Sequence, residues 1–311
     1  MQRLRTLCAV AAIALVTGTA SASVALLMEE PFGEFGEFNP TGHAAVYLNH
    51  VCADTPLELR PCREGEYGVV ISRYHKVGGK DWIAMPLVRY LYAVDDLKDV
   101  PQSVTHEDVV RLRKAAWEAN LQDLAPSKDG IEPPGGEWIQ LVGASYDRTI
   151  HGFQIDTTPE QDERFIAIFN DKKNVGHFNL IAHNCADFSR EVLDTYFPKS
   201  TRRSFFADFG IMTPKQAARS LVQYGRKHPE LNMTAFTIPQ VPGTMKRSTK
   251  IDGVAASLIR SKKYVIPLAV LAPEATGAVA VDYLVAGRQR LPKNAKLFQI
   301  GDTALPGESA D

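Results

Sequence analysis

"HFNLIAHNCADFSREVLDTYF", residues 177–197, decides how the chain is read. The mostly apolar run 178–182 predicts a buried strand. His183-Asn184-Cys185 follows, and a helical pattern begins at once and stops at Pro198. A strand running straight into a helix puts the Cys185 sulfur at a helix N-terminus. Unpaired N–H groups and the macrodipole there favour negative charge. Both lower a thiol's pKa, and the thiolate is the nucleophile. Backbone N–H groups at such a joint also stabilise an oxyanion. The position suits acyl chemistry, in which a cysteine attacks a carbonyl and passes the acyl group on. The plain alternative is packing, since free cysteine is among the most buried residue types. The polar neighbours Asn184 and His183 weigh against packing alone.

The other cysteines set the context. The N-terminus has the pattern of a secretory signal over residues 1–22: Arg3 and Arg5, the apolar "LCAVAAIALV", then "ASA" for cleavage after Ala22. An uncleaved anchor is the alternative. Export, to the periplasm or the outside, places the chain where disulfides persist. Cys8 belongs to the signal. Cys52 and Cys62 bracket the short loop "ADTPLELRP", and a bridge between them is expected. Cys185 is then left over, and a lone thiol in an oxidising compartment is a liability unless buried or used. The 311 residues are 45% hydrophobic with a formal net charge of -1. That is an ordinary globular composition, and it argues against a nucleic-acid partner, which requires a basic surface.

Along the chain, "EEPFGEFGEFNPTG" reads as an exposed lead-in. "GHAAVYL" (42–48) alternates as a strand, with His43, Ala45 and Tyr47 on one face. "YGVVISRYH" (67–75) is a second strand and "WIAMPLVRYLYAV" (82–94) a third. Helices are predicted from Thr105, with a capping box to Asp108, from the Thr158-Pro159 start, from Cys185, and from the Thr213-Pro214 start. "EWIQLVGASYDRTIHGFQIDT" reads as two strands around a turn at Ser145–Arg148, a segment whose alternative role is a substrate clamp. Residues 201–300 read as mostly helical. The apolar stretch 264–287 is interrupted by Pro267, Pro273, Glu274 and Asp282, so core-packing or interfacial helices are expected rather than a membrane span.

A nucleophilic cysteine needs a base. Among the histidines, His43 stands out because it opens a strand whose small neighbours Gly42, Ala44 and Ala45 leave room beside the imidazole. His106 and His228 read as surface residues. His177 and His183 lack a third ligand at metal-binding spacing, so no metal and no cofactor are expected.

"GHAAVYL" followed much later by "HNCADFSREVL" resembles the circularly permuted papain-like superfamily. Its members include lecithin:retinol acyltransferase-like proteins, PPPDE peptidases and the periplasmic domain of the bacterial lipoprotein N-acyltransferase Lnb, to which an exported chain is most similar. Ordinary papain-like enzymes carry Cys first and His later; the permuted branch carries a strand-borne "GH" first and an "NC" at a helix start later. The resemblance covers residues 36–200. It implies His43 as base, Cys185 as nucleophile and oxyanion N–H, and Asn184 as a shaper of the turn. The family adds a polar residue on the next strand to orient the histidine. Ser72 falls about where that partner would lie, a departure because serine is a weaker orienter than His or Asn; His75 and His151 are alternatives.

The expected fold is α+β: a small antiparallel sheet with the Cys185 helix packed on it, then a mostly helical C-terminal region. The expected function is a cell-envelope thiol hydrolase or acyltransferase acting through an acyl-enzyme on a lipid, lipoprotein or peptide, with the apolar C-terminal stretch held at a membrane surface. The alternatives are an NlpC-type cell-wall peptidase and a non-catalytic module on the same fold.

Overall fold

The computed structural model describes residues 22–33, 36, 40–176, 178–287, 295–298 and 300. The signal expected over residues 1–22 therefore lies outside the described residues except for Ala22. Immediately after Ala22 the apolar, β-branch-bearing run Ser23–Glu29 forms strand β1, buried at every residue. It lies between β2 (His43–Leu48) and β7 (Ile150–Asp156), antiparallel to both. β5 (Val69–Ser72) and β6 (Ile83–Pro86) extend the sheet beyond β2. β8 (Thr234–Ile238) and the short β9 (Lys296–Leu297) extend it beyond β7, with β8 and β9 parallel. The region after residue 200 thus supplies strands to the same sheet as well as helices. β3 (Val51–Thr55) and β4 (Glu58–Pro61) form a separate hairpin, closed by the Cys52–Cys62 disulfide.

The helices in chain order are α1 (Leu87–Tyr92), α2 (His106–Asn120), α3 (Ala144–Asp147), α4 (Pro159–Asp171), α5 (Cys185–Tyr196), α6 (Phe205–Asp208), α7 (Pro214–Lys227), α8 (Val254–Arg260), α9 (Lys262–Leu271) and α10 (Pro273–Asp282). The expected capping boxes close α2 and α4, and Thr213 caps α7. The architecture is mixed α and β with a mostly antiparallel sheet. Both sheet faces are covered, which is why β2 is buried throughout rather than alternating between core and solvent. One face, carrying Val24, Leu26, Met28, Ala44 and Val46, packs on α4, α5 and α7. The other, carrying Ala25, Leu27, Ala45 and Tyr47, packs on α1, α2 and the Trp138–Tyr146 segment.

Several expected elements differ. Residues 178–182 are an exposed loop, not a buried strand. The Asn179 side chain accepts from the Ile181 and Ala182 N–H groups, which a strand would need for pairing, and Leu180 and Ile181 are 57% and 64% exposed. Residues 82–94 split: the ladder ends at Pro86, and Leu87 starts α1. The strand expected from Glu137 is a 3-10 turn over Glu137–Leu141. It is bracketed by Gly136 and Gly143 at positive φ, and Arg113 takes the Val142 and Gly143 carbonyls. Ser145–Arg148 is neither a hairpin turn nor an exposed clamp; it is α3 and its buried end. The lead-in segment begins buried, with Glu29 fully enclosed.

α9 and α10 bury none of their residues, and Ile266, Val270, Leu271 and Val281 face outward. Among the described residues no helix is long and apolar enough to cross a membrane.

Candidate active site

Asn184 makes the start of α5. Its Oδ1 accepts from the N–H groups of Ala186 and Asp187, both at 2.9 Å, and the Asp187 carboxylate accepts from the Asn184 N–H in return. The Asn184 amide also donates to the carbonyls of Leu180 (2.9 Å) and Met212 (3.0 Å). The side chain uses its full capacity to fix the loop before the helix and the segment before α7 against the helix start. This holds Cys185 on the first residue of α5, a free thiol 9% exposed.

The thiol faces the backbone N–H groups of Ala44, Ala186 and Cys185. These favour the thiolate, as a helix start should. Burial outweighs them, and with the Glu29 carboxylate nearby the thiol is pushed up to about 11. The expected lowering by the helix start is therefore overturned: desolvation of the charged sulfur is the larger effect. The resting sulfur is S–H.

His43 opens β2, next to Ala44. It is 8% exposed and stacks on Tyr74 with ring centroids 4.8 Å apart. Ser72 Oγ donates to the Ala44 carbonyl at 2.7 Å, so the hydrogen in the 2.9 Å contact between Ser72 Oγ and His43 Nε2 belongs to the imidazole. That fixes the neutral tautomer with the Nδ1 lone pair free to accept a proton. Burial, reinforced by the positive charge of Arg148, holds His43 well below its usual value. Thiol and imidazole thus both rest uncharged. Both border the start of β2 but on different sides: Cys185 packs with the α5-side core and faces the Ala44 N–H, while His43 shares the side of Ala45, Tyr74 and Tyr90.

The remaining candidates lie elsewhere. His75 makes an edge contact with Phe178. His151 on β7 pairs with Glu30 at 3.2 Å. His183 is bonded to Asp81, itself held by two bonds from Arg73. His183 and Arg73 border a polar groove of about 400 Å³ along the outer side of α5, with Asp187, Arg190 and Arg203. That groove follows the solvent-facing side of the helix, whereas Cys185 is turned into the core. Among the described residues, the ligand-type atoms that gather as a metal would need are Cys52, Cys62 and Glu66, and those two sulfurs are bonded to each other.

Residue-by-residue reading missed a cluster behind His43. Glu29 pairs with His43 across the β1–β2 ladder, accepts from Tyr90 Oη, and pairs with Arg148 at 2.9 Å. All four of Glu29, Tyr74, Tyr90 and Arg148 are buried. The available signal was an acid ending an apolar run at Glu29, which predicts a buried carboxylate that needs a cation.

No protein-family model matches the chain, and no curated protein matches it in sequence. Among solved structures, the crystal structure of the type VI secretion system effector TseH is similar at a TM-score of 0.32 and 12% identity, over 72% of this chain and 95% of that one. A likeness of that size does not establish a shared fold.

Proposed function

We propose that the protein is a cell-envelope thiol hydrolase or acyltransferase, built like the circularly permuted papain-like proteins, with Cys185 as nucleophile and His43 as base. The observation that carries this reading is a free thiol at a capped helix start that faces the backbone N–H of Ala44, the residue after a neutral His43 bonded through Nε2 to Ser72. Because both groups rest uncharged, the thiol is activated by general-base transfer at the moment of attack rather than as a standing ion pair. The Cys185 sulfur bonds to the substrate's carbonyl carbon as its proton passes to His43 Nδ1. The Cys185 backbone N–H serves the developing oxyanion, since those of Ala186 and Asp187 are taken by Asn184 Oδ1. The leaving group departs with the proton from His43, giving a thioester. Water, or an amine or alcohol acceptor, then attacks the thioester carbonyl as it gives its proton to His43; the C–S bond breaks, the proton returns from His43 to the Cys185 sulfur, and the acyl group leaves on the acceptor. The outward apolar residues of α9 and α10 favour a lipid or lipoprotein substrate at a membrane surface over a soluble peptide.

The test is alkylation of Cys185 across pH, together with trapping of an acyl adduct from an activated ester by intact mass. In the native protein Cys185 is expected to acylate, and His43→Ala to slow the step by about 10²–10⁴-fold. A thiol that never acylates, or one indifferent to His43, sinks the enzyme reading. The second reading, a non-catalytic envelope module, draws its support from the closure of the site over a thiol that burial has pushed up to about 11.

A further inference from the structure

The sheet buries a charged pair where a pair of apolar residues would cost nothing to desolvate. Glu29 is fully enclosed and Arg148 is 1% exposed. Replacing a buried ion pair by apolar residues of similar volume is often neutral or stabilising, so stability alone does not account for it. Its placement is specific. Glu29 sits directly opposite His43 on the adjacent antiparallel strand, and directly paired residues point to the same face. The Glu29 carboxylate accepts from Tyr90 Oη on one oxygen and meets Arg148 Nη1 at 2.9 Å on the other. Arg148 is held further by Gln140, whose Oε1 accepts from Nη2 at 2.9 Å, and by Phe32, whose ring lies 4.4 Å from the guanidinium carbon. Because Glu29 lies on β1 and Ser72 on β5, the guanidinium is held on the β1 side of His43 and Ser72 on the other.

We propose that Arg148, clamped by Glu29, is a positioning residue that keeps His43 an uncharged base ready for the Cys185 proton. This rests on the thiol–imidazole reading given above and adds to it the group that sets the base's charge. Glu29 has two effects in this arrangement: it fixes Arg148, and it compensates that charge so that the core tolerates it. The titratable and charged groups around His43 are Glu29 from β1, Tyr74 just past β5, Tyr90 from α1, Arg148 after α3 and Cys185 from α5. Ser72 supplies the hydrogen-bond acceptor. Burial and Arg148 act on the imidazole in the same direction. Burial pushes Glu29 itself up, opposed by Arg148 and the Tyr90 hydroxyl.

The test is the titration of the His43 imidazole by NMR in the full chain, wild type against E29Q, R148K and the double variant E29Q/R148M. Each is repeated with Cys185→Ser so that the thiol contributes nothing. E29Q keeps the guanidinium and removes the acid; the double variant removes both and leaves no buried charge unpaired. The His43 midpoint is expected to be higher in E29Q/R148M than in E29Q by ~1 unit or more, about a tenfold change in protonation. R148K, which keeps the charge, is expected to stay with wild type. If E29Q does not fold, the double variant is compared with wild type, and a rise is again expected. Equal midpoints with and without the Arg148 charge overturn the proposal, as does a common drift of every variant toward the free-histidine value, which marks mere opening of the site. Cys185 acylation in the wild type is read separately, so failure of the electrostatic role and failure of the enzyme reading are told apart.

Discussion

The two faces of the central sheet are filled by different means. On the α5 side, amphipathic helices lay aromatic side chains on the strands: Phe165, Phe169 and Phe188 are each at most 1% exposed, and Phe169 stands edge-on to both Trp82 and Phe188. Arg73 joins them by stacking on Phe188 and bonding to Asp81. On the other side, short helices and turns bring in two buried ion pairs, Glu29–Arg148 and Arg113–Asp147, alongside His43. The first face is held mainly by apolar area, which is non-directional, with one buried pair, Arg73–Asp81, at its edge. The second carries two buried pairs beside the imidazole, each costly if its partner is lost.

The largest effects should separate the two faces by their rescue rather than by their size. Asp147→Ala leaves Arg113 buried and unpaired and is expected to cost about 3–5 kcal/mol. Phe188→Ala opens a cavity and is expected to cost a similar ~3–5 kcal/mol. Urea unfolding measures both. Converting the first pair to Arg113→Met with Asp147→Leu should recover most of the loss. A double variant as unstable as the single would show that the pair acts by shape, as Phe188 does, and the contrast between faces would collapse.

A middle-sized effect sharpens the comparison at the joint between the faces. Asn184→Ala removes the α5 cap and the two amide bonds to neighbouring carbonyls, and should cost about 1–2 kcal/mol. Asn184→Asp retains the cap acceptor alone and should fall between. Thermal melts of the three chains order them; an Asp variant as weak as Ala would assign the effect to the Leu180 and Met212 contacts.

The smallest effect tests a buried charge on the α5 side that has no cationic partner among the described residues. Asp162 on α4 is pushed up to about 6 by burial, opposed by the Tyr196 hydroxyl. A carboxyl raised in the folded state above its unfolded value of about 3.9 weakens folding as pH rises through 6, and the penalty vanishes as pH falls toward 3.9. Asp162→Asn is therefore expected to stabilise the protein at pH 8 by about 1 kcal/mol, after allowing for solvent screening, and not at pH 4. A melting temperature unchanged at pH 8 would show that water reaches Asp162.

This contrast also explains what could be read in advance. The capped helices α2, α4, α5 and α7 follow the 3.6-residue period because each lays one apolar side on the sheet, and their boundaries were legible from Thr105, Thr158, Asn184 and Thr213. β2 was legible from its β-branched and small residues. Residues 178–182 were misleading because Leu180 and Ile181 are apolar yet exposed, and Asn179 turns the chain within them. The Glu137–Leu141 turn was missed because the carbonyls just after it, of Val142 and Gly143, are taken by Arg113 on a distant helix rather than by a strand. The same holds for the site: a free thiol at a helix start is a local pattern, whereas Glu29, Tyr90 and Arg148 gather only through strand register.

The central position of β1 carries a consequence for how the chain is assembled. Its two neighbours are made at very different times during synthesis: β2 follows within twenty residues, while β7 ends at residue 156. Until then a seven-residue apolar strand presents one bare edge, and such edges invite pairing with other chains. Closing that gap is a long-range step with a high loop-closure cost, so the middle of the sheet is completed late although it is encoded first. A chain of this topology gains from a holding partner that shields β1 during its passage to the folded state.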